Sequence, residues 1–320
     1  MKKTFKIFLS IFTCLALISA SLSFSSCKKS DEDGNISVLC TVFPIYDWVA
    51  NIVKDVEGVT LSLLVDNGTD MHSFQPSFAD MAEIKQSNVV IYVGGESDKW
   101  IEDALDGDTV AIKLSAIDGI SLYGISSESI AHGHDHEHDH EHPESYDEHL
   151  WLSVRNAVTS CKYVSEALEN IDKNNAHTYQ ENTKSYTDKL DGINQKLSDI
   201  CANAASPVVF ADRFPFVYLF NDYSVQYYAA FEGCSTDTNA DFDTVIRLSE
   251  KIGEYGCRYV LTTESPIKEL AEKAISESNQ TEIEVLALDS MQSITAEKIE
   301  QGCSYLEIME QNAAVLQKIF

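Results

Sequence analysis

Basic residues are scarce in this chain. Lysine and arginine number 23 against 51 aspartate and glutamate residues, which gives a formal net charge of −28 over 320 residues. Such a charge excludes nucleic acid and anionic lipid surfaces as electrostatic partners and favours cations. The apolar fraction of 44%, with 10% aromatic residues, is typical of a globular protein. The length allows one large hydrophobic core or two medium ones.

No apolar run is long enough for a comfortable membrane span, which needs about 20 residues. The run from Ile7 to about Ala20 follows Lys2, Lys3 and Lys6, as in a secretory signal. Small residues then lead to Cys27 in the segment SSCKK, which resembles a bacterial lipoprotein cleavage site. Ordinary signal cleavage nearby, with a free thiol at this cysteine, is the alternative.

We therefore expect residues 1–27 to comprise a lipoprotein signal peptide and its lipidation site, Cys27, and residues 28–35 to form a tether. The protein would be exported and anchored by lipid to the outer face of the cytoplasmic membrane. Because the signal carries three lysines and no acidic residue, the mature chain would have a net charge of about −31.

The chain also lacks a CxxC pair, which excludes a zinc knuckle of that type. Six of its eight cysteines lie beyond the signal, namely Cys40, Cys161, Cys201, Cys234, Cys257 and Cys303. Export permits disulfides, but the spacing of the cysteines determines no connectivity. The pair that we expect is Cys257 with Cys303, because both lie in the C-terminal half.

Short apolar runs alternate with helical patterns in both halves of the chain, and no repeat of 20–50 residues is visible. The runs at 36–43, 59–65, 88–95 and 109–115, and at 206–213, 225–231, 256–264 and 283–290, predict strands. Between the halves lies a segment with helical apolar spacing and no proline. This alternation predicts an α/β protein with two lobes, each with a mainly parallel sheet, joined by a long backbone helix. The expected lobes are residues 36–154 and 206–320, and the linking helices are residues 155–205.

Seven of the nine histidines fall in one stretch, HGHDHEHDHEHPESYDEHLWL. Six of them alternate with glycine or acidic residues in the low-complexity tract 132–142, which we expect to be disordered without metal: His132, His134, His136, His138, His140 and His142. Imidazoles beside carboxylates bind divalent metal in many exchanging arrangements, which suits metal capture or sensing. A solvated loop that binds metal incidentally is the alternative. The seventh, His149, stands apart because it adjoins an apolar segment that begins at Leu150.

Three residues with metal-binding groups adjoin or end predicted apolar segments. His72 comes after the second strand, His149 precedes an apolar segment, and Asp289 ends the last strand. Ligands of α/β sheets bind beyond the carboxyl ends of the strands, so these residues would converge between two facing lobes. Imidazole nitrogens with a carboxylate suit Zn²⁺ and, less exclusively, Mn²⁺. Taken singly, each also fits a loop histidine or a helix-capping aspartate.

The segments DNGTDMHSFQPSFADMAEIKQSNVVIYVG, YDEHLWLSVRNA and LALDS are similar, in this order, to three motifs of the solute-binding lipoproteins of zinc and manganese ABC transporters (the cluster A-I binding proteins). The resemblance extends from about Ile36 to the C-terminus. It implies two lobes around an interlobe metal site, a rigid backbone helix and metal binding by His72, His149 and Asp289. It further implies a monomer that delivers its ion to an ABC permease and its ATPase.

One motif departs from this family. The third ligand of the family is usually a histidine or glutamate just after the strand that opens the C-terminal lobe, and the segment VVFADRFPF places Ala211 there. Alanine binds no metal. Asp212, Glu264, a loop histidine or a water molecule would complete the coordination sphere. Arg213 could instead pair with either carboxylate and remove it from the site.

The resemblance therefore predicts a carrier of Zn²⁺ that catalyses no reaction. A manganese carrier is the alternative of the same class, although the histidine-rich composition favours zinc because Mn²⁺ prefers oxygen ligands. A surface adhesin or zinc-storage lipoprotein is a second alternative. A zinc hydrolase is disfavoured, because outside residues 132–142 the chain has no HExxH motif and no evident general base beside the candidate ligands.

Overall fold

The computed structural model describes residues 35–124, 146–231 and 242–320. The expected signal peptide with Cys27, nearly all of the tether, the six histidines of residues 132–142 and Cys234 lie outside the described residues. The described chain forms two four-stranded sheets with helices packed against them, and every strand pair in both sheets is parallel. The predicted α/β class with two parallel-sheet lobes is thus confirmed.

The first sheet has the strand order β2-β1-β3-β4. Its elements are β1 (Ile36–Cys40), α1 (Phe43–Ile52), β2 (Val59–Leu63), α2 (Phe78–Gln86), β3 (Val89–Tyr92), α3 (Trp100–Ala104) and β4 (Val110–Lys113). Pro44 lies in the first turn of α1, where the missing N–H has no cost. At α2, Ser77 and Asp80 form a capping box through hydrogen bonds of 2.6 and 3.3 Å. All four residues of β3 are buried, as expected for an inner strand covered on both faces.

The linking segment consists of two helices, α4 (Val154–Ile171) and α5 (Ala176–Cys201), and not of one continuous backbone helix. The chain turns at Asp172, whose Oδ2 accepts hydrogen bonds from Asn175 Nδ2 at 2.7 Å and from the Tyr179 hydroxyl at 3.0 Å. The side chain of Asp172 thus supports the turn in the absence of proline and glycine. No helix in the described ranges is long and apolar enough to cross a membrane.

The second sheet has the strand order β6-β5-β7-β8. Its elements are β5 (Val208–Phe210), α6 (Val217–Asp222), β6 (Tyr227–Ala229), α7 (Phe242–Tyr255), β7 (Tyr259–Thr263), α8 (Glu269–Glu277), β8 (Glu284–Leu288), α9 (Ala296–Glu300) and α10 (Tyr305–Ile319). The expected disulfide between Cys257 and Cys303 is wrong, because both thiols are free. The two cysteines pack against different apolar clusters, so the fold keeps them apart.

Loops that follow strands of both sheets meet between the lobes. The Trp151 indole donates a hydrogen bond to the Ser290 carbonyl at 3.0 Å, and Ala296 N donates to the Asp66 carbonyl at 2.7 Å. Gly68 has φ +75°, and a Cβ at this position would lie 2.8 Å from Thr295 Cγ2. Glycine is therefore required here both by the backbone conformation and by the close approach of the lobes.

Candidate metal centre

Two imidazole rings face each other at the junction of the lobes. The Nε2 atoms of His72 and His149 are 3.2 Å apart, and the ring centroids are 5.1 Å apart. Two nitrogen ligands of one tetrahedral zinc ion, with bonds of about 2.0–2.1 Å, lie roughly 3.3 Å apart. The spacing of the two Nε2 atoms therefore fits a shared metal ion.

His72 lies in a single 3₁₀ turn, Met71–Ser73, that follows β2. The Asp70 side chain caps this turn by accepting a hydrogen bond from His72 N at 3.0 Å. The Nδ1 atom of His72 lies 2.7 Å from Ser97 Oγ and 3.4 Å from Glu148 Oε2. These contacts direct Nδ1 away from His149 and Nε2 toward it.

His149 is held more rigidly, because only 1% of its side chain is exposed. Asp147 Oδ1 accepts hydrogen bonds from the backbone N of His149 at 2.9 Å and from its Nδ1 at 2.7 Å. The ring packs edge-on against Trp151, with centroids 5.2 Å apart. A carboxylate behind Nδ1 keeps the proton there and directs the Nε2 lone pair into the junction, as in many metal-binding histidines.

The C-terminal lobe contributes Gln292 to this junction. Its amide nitrogen lies 2.7 Å from His149 Nε2 and 3.4 Å from Asp70 Oδ1, while its Oε1 lies 3.1 Å from Ser290 Oγ. The side chain thus spans the crevice from the loop after β8 to the histidine pair.

Asp289, the predicted carboxylate ligand, begins the same loop. Its Oδ1 accepts a hydrogen bond from Met291 N at 2.8 Å, and its backbone exchanges hydrogen bonds with Asn312 on α10. Burial raises the pKa of the Asp289 carboxyl, an effect that the hydrogen bond from Met291 N and, to a lesser degree, Lys298 partly offset. The structure thus brings His72 and His149 together, and from the loop after β8 the side chain in contact with His149 is that of Gln292. Metal binding by Asp289 stays a prediction.

The residues considered for the third ligand have other roles. Ala211 is buried, and its N donates a hydrogen bond to the Leu261 carbonyl at 2.8 Å. Asp212 accepts hydrogen bonds from Arg213 N at 2.8 Å through Oδ1 and from Thr263 N at 3.2 Å through Oδ2. These contacts direct the Asp212 carboxylate to the end of β7.

Glu264 also directs its carboxylate into its own lobe. Its Oε2 accepts a hydrogen bond from Ser290 N at 3.0 Å, and its Oε1 accepts one from Ser290 Oγ at 2.8 Å. Burial and, secondarily, the Asp289 charge raise the pKa of the Glu264 carboxyl. Arg213 crosses the crevice, where its Nη1 donates to Asp70 Oδ2 at 3.1 Å. Arg213 does pair with a carboxylate at the junction, but the carboxylate comes from the N-terminal lobe.

Within the three described ranges, no group of three or more histidine, cysteine, aspartate or glutamate side chains is arranged to hold a metal ion. The described centre therefore consists of two imidazoles and one amide side chain. A cavity of about 10 Å³ lies beside it, lined by residues of both lobes that include Met71, Trp151 and Gln292. Such a volume holds about one water molecule.

The residues that orient the two imidazoles were not predicted from the sequence. Asp147 and Glu148 directly precede His149, and the acidic pair in YDEH was a usable signal for carboxylates behind a metal-binding histidine. No such signal marks Ser97 and Gln292, because their loops come close to the two histidines only when the chain folds.

Comparison with known proteins supports both the fold and the family. The family described as zinc-uptake complex component A periplasmic (ZnuA) matches residues 38–319. The zinc-binding lipoprotein AdcA of Streptococcus pneumoniae is 23% identical over 95% of this chain, which spans about 60% of the length of that relative. The high-affinity zinc uptake system protein ZnuA of Bacillus subtilis is 26% identical over 96% of this chain and 95% of its own length.

Solved structures show the same fold. The metal-dependent lipoprotein YcdH from Bacillus subtilis superposes with a TM-score of 0.72 at 22% identity, covering 89% of this chain and 100% of its own. The Zn(II)-bound ZnuA-like domain of Streptococcus pneumoniae AdcA gives a TM-score of 0.71 at 21% identity, covering 89% of this chain and 99% of its own. Because the match to the family extends over residues 38–319, the chain belongs to the zinc-uptake complex component A periplasmic family.

Proposed function

We propose that the protein is an extracytoplasmic solute-binding component of a metal ABC transporter, which captures Zn²⁺ between its lobes and delivers it to a permease and its ATPase. The observation that carries this proposal is the 3.2 Å separation of the His72 and His149 Nε2 atoms. The contacts behind both Nδ1 atoms support it, because Ser97 Oγ and Asp147 Oδ1 occupy this side of each ring and the two Nε2 atoms point toward each other. The zinc-binding names of the AdcA and ZnuA relatives point to the same ion.

Gln292 is the side chain of the C-terminal lobe that we assign to the ion. The two ends of an amide are distinguished by their hydrogen-bond network, and a half-turn of this group brings Oε1 toward His149 Nε2. The amide nitrogen would then donate to Ser290 Oγ, which itself donates to Glu264 Oε1 at 2.8 Å. Two imidazoles, one amide oxygen and a water molecule give the four-coordinate sphere that Zn²⁺ prefers. Asp289 is the alternative to Gln292.

The N-terminal segment supports delivery from the cell surface as part of this proposal. Lipidation at Cys27 would hold the monomer near its permease, and the histidines of residues 132–142 would collect zinc for the centre between the lobes. The AdcA relative is itself named a zinc-binding lipoprotein, which supports the anchor. No reaction on a substrate is required for this cycle of capture, docking and release.

The test is calorimetric titration of residues 28–320 with Zn²⁺ and with Mn²⁺, beside a variant that lacks residues 132–142. We expect one tight zinc site that survives the deletion, together with much weaker manganese binding. His177→Ala is the control for loss of a histidine outside both proposed zinc sites, because His177 is exposed and its Nδ1 lies 3.2 Å from Glu181. Loss of all tight zinc binding with the loop would contradict a site between the lobes. Equal or tighter manganese binding would favour a manganese carrier.

A further inference from the structure

Glu148 is a buried carboxylate that the proposed coordination does not use. Only 7% of the residue is exposed. Its Oε1 accepts a hydrogen bond from Ser97 N at 2.9 Å. Its Oε2 is buried without a hydrogen-bond partner among the described residues and lies 3.4 Å from His72 Nδ1. A buried carboxylate oxygen without a full set of partners is costly, so this placement needs a reason.

The loop after β3 leaves room for this carboxylate. A Cβ on Gly95 would fall 2.3 Å from Glu148 Oε1 and 2.4 Å from its Cγ and Cδ atoms. Any other residue at position 95 would displace the glutamate from His72. Gly95 thus leaves the space that the Glu148 side chain fills, and the Ser97 N–H donates a hydrogen bond to its carboxylate.

The hydrogen-bonding groups around His72 Nδ1 explain what this placement of the Glu148 carboxylate achieves. Ser97 Oγ, at 2.7 Å from His72 Nδ1, can donate or accept a hydrogen bond, so it leaves the tautomer of the ring undetermined. An ionised carboxylate only accepts, so Glu148 favours the tautomer of His72 with its proton on Nδ1. The Nε2 lone pair of this tautomer points toward His149. Asp147 acts in the same way on His149, so two consecutive acidic residues serve the two rings.

We propose that Glu148 is a positioning residue that holds His72 in the metal-binding tautomer and whose negative charge favours a divalent cation between the two rings. The effect of the Glu148 charge on a divalent cation rests on the proposed zinc function. The effect of Glu148 on the His72 tautomer does not depend on the metal.

The test compares Glu148→Gln with Glu96→Gln in the full mature protein at a fixed pH of about 7.5. Glutamine keeps the size of the side chain, but its amide presents a donor where His72 Nδ1 now has an acceptor. We expect zinc affinity to fall about 10- to 100-fold, the usual cost of losing a partner behind a metal-binding histidine. Glu96, whose side chain is 81% exposed, should give wild-type affinity when it is replaced.

Nitrogen-15 NMR of the imidazole rings provides the readout that a merely structural role would not change. In the wild type, His72 should carry its proton on Nδ1 both with and without zinc. In metal-free Glu148→Gln, the proton should move to Nε2. An unchanged tautomer or wild-type zinc affinity in this variant would overturn the proposal.

Gly95→Ala is the second variant, because its Cβ displaces the Glu148 carboxylate while the charge stays in the chain. It should reproduce the shift of the His72 proton, and retention of the proton on Nδ1 would also overturn the proposal. If the wild type binds zinc only through residues 132–142, the proposed function fails. The tautomer of His72 in the metal-free variants still decides the role of Glu148 in that case.

Discussion

The two lobes share one sheet architecture but contribute unequally to the candidate metal centre. Each sheet is parallel, with its second strand at one edge beside its first, followed by its third and fourth. The edge of the N-terminal lobe supplies both imidazoles, with oxygen acceptors behind them. The edge of the C-terminal lobe supplies the Gln292 amide and the Arg213 guanidinium, while its carboxylates Asp212 and Glu264 accept hydrogen bonds from their own lobe.

This difference shows that strand order sets where a ligand can bind and not which residues bind it. The loops of the N-terminal lobe direct the Nε2 atoms of two imidazoles into the junction. At the C-terminal edge, Arg213 forms an ion pair with Asp70 at 3.1 Å and so brings a positive charge to the junction. An arginine near a divalent cation opposes its binding by electrostatic repulsion. We therefore expect changes at the two edges to act in opposite directions.

The largest effect should come from His149→Ala in the N-terminal lobe. This change removes one of the two proposed nitrogen ligands, so zinc affinity should fall by more than about 100-fold, which is the upper cost of losing an outer partner. Calorimetric titration in the variant that lacks residues 132–142 measures this without interference from the loop. A tight site that persists in this double variant would place the zinc centre elsewhere. Loss of the fold is monitored by circular dichroism, since the side chain is buried.

Arg213→His should act in the opposite direction. It removes the positive charge from the crevice and adds an imidazole to the edge that has none, so we expect zinc affinity to rise about tenfold, equivalent to about 1.4 kcal/mol. Arg258→His is the control, because Arg258 is exposed on the same lobe. Unchanged or weaker binding would show that the ion pair with Asp70 supports the site by holding the lobes together.

A smaller effect distinguishes the two candidate ligands in the loop after β8. Gln292→Ala should weaken zinc binding about tenfold, because it removes the side chain that contacts His149. Asp289→Asn should weaken it less, since the hydrogen bond of this carboxylate to Met291 N belongs to the loop itself. Titration of both variants side by side decides the assignment. The reverse order of losses would make Asp289 the ligand.

Most of the fold could be predicted from local patterns. All eight runs chosen as strands contain an observed strand, because a continuous apolar run is what a strand covered on both faces requires. The linking segment was harder. Residues 172–175 interrupt its apolar spacing but include no proline or glycine, and the turn there depends on side-chain hydrogen bonds of Asp172 that periodicity does not report.

The candidate centre was predictable only in part. His72 and His149 follow from their places beside apolar segments, since such positions meet at the carboxyl ends of strands. The contact between Gln292 and His149 joins residues 143 positions apart, and that between Arg213 and Asp70 joins residues equally distant in sequence. Which side chains meet across the crevice depends on how the two lobes pack, and no local pattern determines it.

The smallest effect on zinc should come from Asp98, which supports the N-terminal edge from behind. Its carboxylate accepts hydrogen bonds from Val93 N at 2.8 Å and from Gly94 N at 3.0 Å, in the loop that leads to Gly95 and Ser97. Burial raises the pKa of Asp98 from 3.8 to about 6, with the backbone hydrogen bonds opposing that rise. Because Asp98 lies behind the loop and only 4% of it is exposed, zinc affinity at pH 7.5 should change little in Asp98→Asn.

The stability of the protein should nevertheless depend on pH through this residue. A carboxyl whose pKa is higher in the folded state binds its proton more tightly when folded. Its contribution is therefore fully present below about pH 4 and is lost as the pH rises through about 6. Relative to Asp98→Asn, the free energy of unfolding of the wild type should fall by about 3 kcal/mol over this range. Urea unfolding of both proteins between pH 4 and pH 7.5 measures the difference, and exposed Asp103→Asn is the control. A difference that stays constant or grows with pH would show that the backbone hydrogen bonds outweigh burial and stabilise the charged form.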